Sequence, residues 1–186
     1  MIKLIVTGSI GSGKSTVMSH LAERLKDEDI TFFDMDQIVS DLYDNPDFVA
    51  ELKSRFGVET KADVVKLVFE EDVSKRAEFN NFANDWVSQY LTFFALNNEN
   101  VILEYPLFFE AMINSENDVS RLIRKFFTVV AVAVGDEELR ISRIKKRCKV
   151  KHPHWNESQI NAIIDAQIAD PIKCGLSDVS MINDGD

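Results

Sequence analysis

The sequence predicts an α/β fold of three layers around a parallel sheet of about five strands, and three observations predict it. An apolar segment at 2–6 leads through a glycine-rich turn into a helix, the opening of a β-α-β unit. Further apolar, β-branched or aromatic segments at 30–33, 101–103 and 126–134 alternate with helical stretches. Acidic residues close two of these strands, where an open parallel sheet places its ligands.

Each element has its own justification. The turn over 7–13 carries the small residues of a strand-to-helix connection, and the helix expected over 14–26 repeats Val17, Leu21 and Leu25 at i+4, a stripe that packs on a sheet. From 37 to 96 the pattern is mostly helical and more charged, with breaks at Asn45-Pro46 and Phe56-Gly57. After Gly135 a helix is expected over 136–149, an interruption at Pro153, and another helix over 157–168. The chain is therefore one domain with a core of 1–36, 97–139 and 169–186, a helical insertion over 37–96 and a further helical segment over 140–168.

A chain of 186 residues suits a single domain, and its formal charge of −10 argues against sequence-independent binding to nucleic acid or to an anionic membrane. An anionic ligand must then be met by local positive groups. No apolar run approaches bilayer length and no signal peptide opens the chain, so a cytoplasmic protein acting on a small molecule is expected. Cys148 and Cys174 have no metal-ligand spacing and are expected to be reduced.

Residues 8–15 read Gly-Ser-Ile-Gly-Ser-Gly-Lys-Ser and satisfy G-x-x-x-x-G-K-[ST] between a predicted strand and a predicted helix. The glycines let backbone N–H groups turn inward and, with the helix N-terminus, form an anion hole for the phosphates of ATP. Gly8, Ser9, Ile10, Gly11, Ser12, Gly13, Lys14, Ser15 and Thr16 are the expected nucleotide cradle. Lys14 reaches the β and γ phosphates, and the Ser15 hydroxyl is placed for Mg2+.

Asp34 and Asp36 follow the second strand and point the same way in extended chain, one suited as base for a substrate hydroxyl and the other as its support. Equally, either one can cap the helix that begins near Ile38. Glu104 ends the third strand and can hold a magnesium-bound water or stand as a solvated strand end.

Residues 140–151 hold Arg140, Arg143, Lys145, Lys146, Arg147, Lys149 and Lys151, seven of the 21 lysines and arginines. Arg140, Arg143 and Arg147 fall on one helix face, as expected for a lid that closes over ATP and shields phosphoryl transfer from water. The other reading is a solvated face matching the helix dipole. His152-Pro153-His154 lacks further ligands and reads as a polar loop. Phe79, Phe82, Phe93, Phe94, Phe108 and Phe109 read as core.

Taken together these residues resemble the dephospho-CoA kinase family along nearly the whole chain. The opening Val6-Thr7-Gly8-Ser9-Ile10-Gly11-Ser12-Gly13-Lys14-Ser15-Thr16 is close to T-G-G-I-G-S-G-K-S/T, and Asp34-Met35-Asp36 resembles D-A-D, which implies Asp36 as base. Tyr105-Pro106-Leu107-Phe108-Phe109-Glu110 is similar to the P-L-L-F-E segment that borders the acceptor, which implies Pro106, Leu107 and Glu110 at the substrate with Asp34, Asp36 and Lys61. Arg143 and Arg147 match the R-x-x-x-R of the lid, and Gln167 matches a lid glutamine. Asp178 with Asn183-Asp184-Gly185 resembles the A-D-x-V-I-x-N-D-G ending, whose asparagine lies near adenine. The chain departs from the pattern at Ser40, Asn84-Asp85 and Ala162, and carries Lys61 where an arginine is usual.

The resemblance implies a P-loop kinase fold with an acceptor-binding insertion and a lid. It implies transfer of the ATP γ-phosphate to the ribose 3'-hydroxyl of dephospho-coenzyme A, with Lys14, Asp36, Arg143 and Arg147 as catalytic residues, and Ser15 and Glu104 at Mg2+. A nucleoside or deoxynucleoside monophosphate kinase, or a catalytically silent ATP-binding module, are the competing readings.

Overall fold

A computed structural model describes residues 1–70, 73–114, 119–151 and 156–185. Five parallel strands form one sheet in the order β2-β3-β1-β4-β5: β1 Lys3–Thr7, β2 Thr31–Asp34, β3 Val101–Glu104, β4 Thr128–Ala133 and β5 Val179–Ile182. The apolar runs of β1, β3 and β4 belong to inner strands covered on both faces, as parallel sheets require.

Side-chain alternation divides the sheet between two cores. Val6, Ile102 and Val132 face one way and pack with Val17, Leu21 and Leu25 of α1, Lys14–Arg24, so the stripe expected of that helix meets the sheet. Ile5, Val101, Leu103 and Val129 face the other way, into a larger core shared with the helical insertion.

That insertion comprises α2 Met35–Leu42, α3 Pro46–Phe56, α4 Lys61–Glu70 and α5 Val73–Asn97. The expected breaks fall where the sequence puts them. Asn45 caps α3 by accepting from the Asp47 and Phe48 N–H groups, Pro46 opens the helix, and Gly57 ends it at φ 72°. Phe48 stacks on Phe82 and meets Tyr43 and Trp86 edge-on, while Phe56 packs against Phe79 and Phe82. Phe108 and Phe109 are fully buried beside the sheet. Phe93 departs from the expectation: it is 64% exposed, because its neighbour Phe94 takes the inward face of α5 against Phe33 and Tyr90.

Between β3 and β4 lie α6 Phe108–Asn114 and α7 Val119–Arg124. After β4 come α8 Glu137–Lys151, α9 Glu157–Asp165 and α10 Asp170–Leu176. His152-Pro153-His154 lies outside the described residues. Cys148 is buried with Ile144 and Ile160, and both cysteines are free thiols. Among the described residues no helix is long and apolar enough to cross a membrane.

Candidate active site

The glycine-rich loop runs from the end of β1 into α1. Gly13 stands at the N-cap at φ 87° with no side-chain cap, so the first N–H groups of α1 keep their donors for an anion. Glycine is required here by space as well as by φ: a methyl on Gly13 would lie 2.0 Å from Asn183 Nδ2, and one on Gly8 would lie 2.1 Å from the Val132 carbonyl oxygen. Asn183 donates from Nδ2 to the Ser12 carbonyl at 3.0 Å, which pins the C-terminal segment against the loop. The Ser12 hydroxyl is buried without a hydrogen-bond partner. A curled backbone, open helix donors and an orphaned hydroxyl together fit a phosphate group.

Lys14 is buried, and its ammonium donates to the Ser9 carbonyl at 3.0 Å. Desolvation holds its pKa down at about 8, with Glu104 opposing that shift and Lys173 and Arg147 adding to it. Ser15 donates from its hydroxyl to Glu104 Oε1 at 3.3 Å. Burial pushes the Glu104 carboxyl up, the Lys14 ammonium draws it back, and Asp34 and Asp36 both push it further up. In register, Glu104 lies between Val6 of β1 and Asp34 of β2, so three adjacent strand ends bring the acids beside the phosphate loop. The Ser15 hydroxyl and the Glu104 carboxylate offer a magnesium ion two oxygens directly or through water. That suits a metal that takes its remaining ligands from phosphates and solvent. No group of three or more His, Cys, Asp or Glu suited to a metal occurs among the described residues.

The two aspartates differ in what they bond. Asp34 caps α2, accepting the Asp36 N–H on Oδ1 at 2.8 Å. Asp36 stands in the first turn of α2 with an exposed side chain.

The arginines of α8 separate as well. Arg140 is buried, paired with Glu137 and donating from Nη1 to the Ile10 carbonyl at 3.3 Å, so it braces the loop from behind. Arg143 donates to the Asn183 carbonyl at 2.9 Å and to the Gly185 carbonyl. Arg147 is exposed and near enough to Lys14 to lower its pKa. Lys61 is exposed at the start of α4.

The segment after β3 is tied to the loop from beneath. Thr7 donates from its hydroxyl to the Pro106 carbonyl at 3.2 Å, and Leu107 is 45% exposed. The Glu110 carboxylate is buried against the Lys173 ammonium at 2.7 Å and accepts the Ile168 N–H at 2.9 Å. Gln167 accepts the Ile10 N–H at 2.8 Å, and Asp170 accepts the Ser9 N–H at 3.2 Å. Sequence reasoning names Gln167 but misses Asp170 and Lys173. A lone lysine in a short helix reads as a surface charge, and only a known partner such as Glu110 would mark it as buried.

The family model for dephospho-CoA kinase matches residues 2–186. A dephospho-CoA kinase of Fusobacterium nucleatum is 26% identical over 187 residues, covering 96% of this chain and 87% of the relative. Among solved structures, a dephospho-CoA kinase from Campylobacter jejuni aligns with TM-score 0.60 at 18% identity, over 98% of this chain and 88% of that one. Shikimate kinase from Acinetobacter baumannii, in complex with shikimate, aligns with TM-score 0.56 at 15% identity, over 100% and 86%. These two likenesses establish the fold.

Proposed function

The chain belongs to the dephospho-CoA kinase family and is a kinase, and from that premise we propose that it transfers the γ-phosphoryl group of ATP to the ribose 3'-hydroxyl of dephospho-coenzyme A in the cytoplasm. The observation that carries this reading is the convergence of Lys14, Ser15, Glu104 and Asp36 at three neighbouring strand ends, with Asp34 spent on capping and the Asp36 carboxylate left exposed.

Residues 8–16 cradle the triphosphate, and Asn183, fixed to Ser12, borders the adenine side. Asp36 accepts the proton of the acceptor hydroxyl as that oxygen bonds to the γ-phosphorus. The bond from that phosphorus to the bridging oxygen breaks, and ADP leaves with the electron pair. Lys14 and Arg147 offset the charge on the moving group, while Arg143 acts through its hold on Asn183 and Gly185. Ser15 and Glu104 would hold a magnesium ion, which when bound would supply further neutralisation of phosphate charge. Pro106 and Leu107 border the acceptor, Glu110 anchors their segment, and Lys61 offers a cation from the insertion.

The test is acceptor-dependent ADP formation with magnesium-ATP and either dephospho-CoA, each nucleoside monophosphate, or no acceptor. Turnover with dephospho-CoA alone is expected. Turnover confined to a monophosphate would make the insertion a nucleotide site, and ATP binding without turnover would make the chain a silent binder.

A further inference from the structure

Lys173 lies outside the chemistry described above, yet it is completely buried. A buried ammonium persists only when paired and hydrogen-bonded. Here the pairing closes a ring through three distant parts of the chain. Lys173 pairs with Glu110 at 2.7 Å and donates to the Pro106 carbonyl at 3.3 Å, and that same carbonyl accepts from Thr7 at the base of the phosphate loop. The oxygen of Glu110 that faces Lys173 also accepts the Ile168 N–H. The Ile168 carbonyl in turn accepts from the Ser9 hydroxyl, and the Ser9 carbonyl accepts from Lys14. Ser9 is thereby joined to Lys14, Ile168 and Asp170 at once.

We infer that Lys173 is a positioning residue for phosphoryl transfer: its ion pair with Glu110 couples the phosphate loop to the 106–110 segment and sets the register between the two. The inference rests on the proposed reading for the role of 106–110 at the acceptor, but the coupling itself is a property of the ring. A movement of Ser9 when the triphosphate settles passes through Ile168 to Glu110 and Pro106 without any contact between nucleotide and that segment. Misregister between loop and acceptor would be felt in kcat, since small displacements of reacting groups slow transfer steeply.

Lys173→Met alone strands the Glu110 carboxylate and invites unfolding. The informative variant is therefore Lys173→Met with Glu110→Gln, which removes both charges and keeps an acceptor for the Ile168 N–H. Hydrogen exchange is measured on wild type and double variant with and without magnesium-ATP. In wild type, ATP is expected to slow exchange at 107–110 as well as in the loop. In the folded double variant the loop protection remains, the protection at 107–110 disappears, the ATP Kd stays within about threefold, and kcat with dephospho-CoA falls by about tenfold to a hundredfold. Should the double variant unfold, Ser9→Ala removes the one side-chain link from the loop to the Ile168 carbonyl and leaves the backbone bonds of Ser9 in place, and the same loss at 107–110 is expected. Undiminished protection at 107–110 in a folded variant would overturn the coupling whichever acceptor the protein uses. Absence of wild-type turnover with dephospho-CoA would instead overturn the functional reading, and the exchange result would still decide the coupling.

Discussion

The phosphate loop and the helical insertion are held by opposite means. Ser9 and Ile10 donate directional hydrogen bonds to acceptors 157 to 161 positions away, and Gly13 fits against Asn183 with no room for a methyl group. The insertion is held by aromatic packing, with Phe48 at its centre between Tyr43, Phe82 and Trp86. Directional bonds fix the positions of individual atoms, which phosphate chemistry needs. Apolar packing fixes where helices lie and leaves their outward polar residues free to change. Ser40 on α2 and Asn84 and Asp85 on α5, three of the positions where the sequence departs from the pattern it resembles, fall in the region held by packing, whereas Ala162 lies outside it on α9.

The contrast breaks if stability and nucleotide binding respond alike to changes in both regions. Phe48→Ala empties the middle of the insertion core and is expected to cost about 3–5 kcal/mol of stability. In protein still folded at low temperature, the ATP Kd should stay within about threefold; thermal denaturation and titration read the two effects separately. An ATP affinity that collapses while the fold survives would show that the insertion shapes the loop.

Gly13→Ala tests the other side. The backbone at φ 87° costs about 1–3 kcal/mol for a residue with a Cβ, and the methyl also strikes Asn183. ATP affinity should fall at least about tenfold, because the open end of α1 is displaced. Adding Asn183→Gly removes the obstacle but not the strain, so melting temperature should recover only in part. Full recovery would mean that crowding alone demands the glycine.

The smallest effect concerns pH and sharpens the comparison by reporting on one group. Lys14 titrates at about 8 in the free protein against an ordinary value of 10.5, chiefly because its ammonium is desolvated. The folded state therefore binds that proton more weakly than the unfolded one. The cost to stability is fully present below about pH 8 and fades as pH rises from 8 to 10.5. Phosphates stabilise the ammonium, so ATP binding at pH 8.5 should take up a fraction of a proton, and affinity should decline as pH climbs past 8. Calorimetry in two buffers of different ionisation enthalpy reads that uptake, which Phe48→Ala should leave unchanged.

The loop, its strand and helix, and the breaks around α3 were legible in the sequence because each is a local signal: a spaced glycine motif, an i+4 stripe, an Asn-Pro start and a glycine stop. That Asp34 caps α2 was legible only as an alternative, since either aspartate could have taken the cap. The short α10 and the edge strand β5 escaped. All four residues of β5 are exposed, so neither continuous burial nor clean alternation announces it. The Lys173–Glu110 pair escaped for a different reason: its partners lie 63 positions apart, and no local pattern distinguishes a buried lysine from a solvated one.

The most direct measurement is the fate of labelled γ-phosphate from ATP in the presence of both dephospho-CoA and nucleoside monophosphates, compared between the native chain and Asp36→Asn. Positional analysis should find the label as an ester on the ribose 3'-oxygen. Asp36→Asn should form that product about 10²- to 10⁴-fold more slowly while binding ATP with unchanged affinity. Label found instead in a phosphoanhydride of a nucleoside monophosphate, or undiminished turnover in Asp36→Asn, would contradict the assignment of acceptor or base.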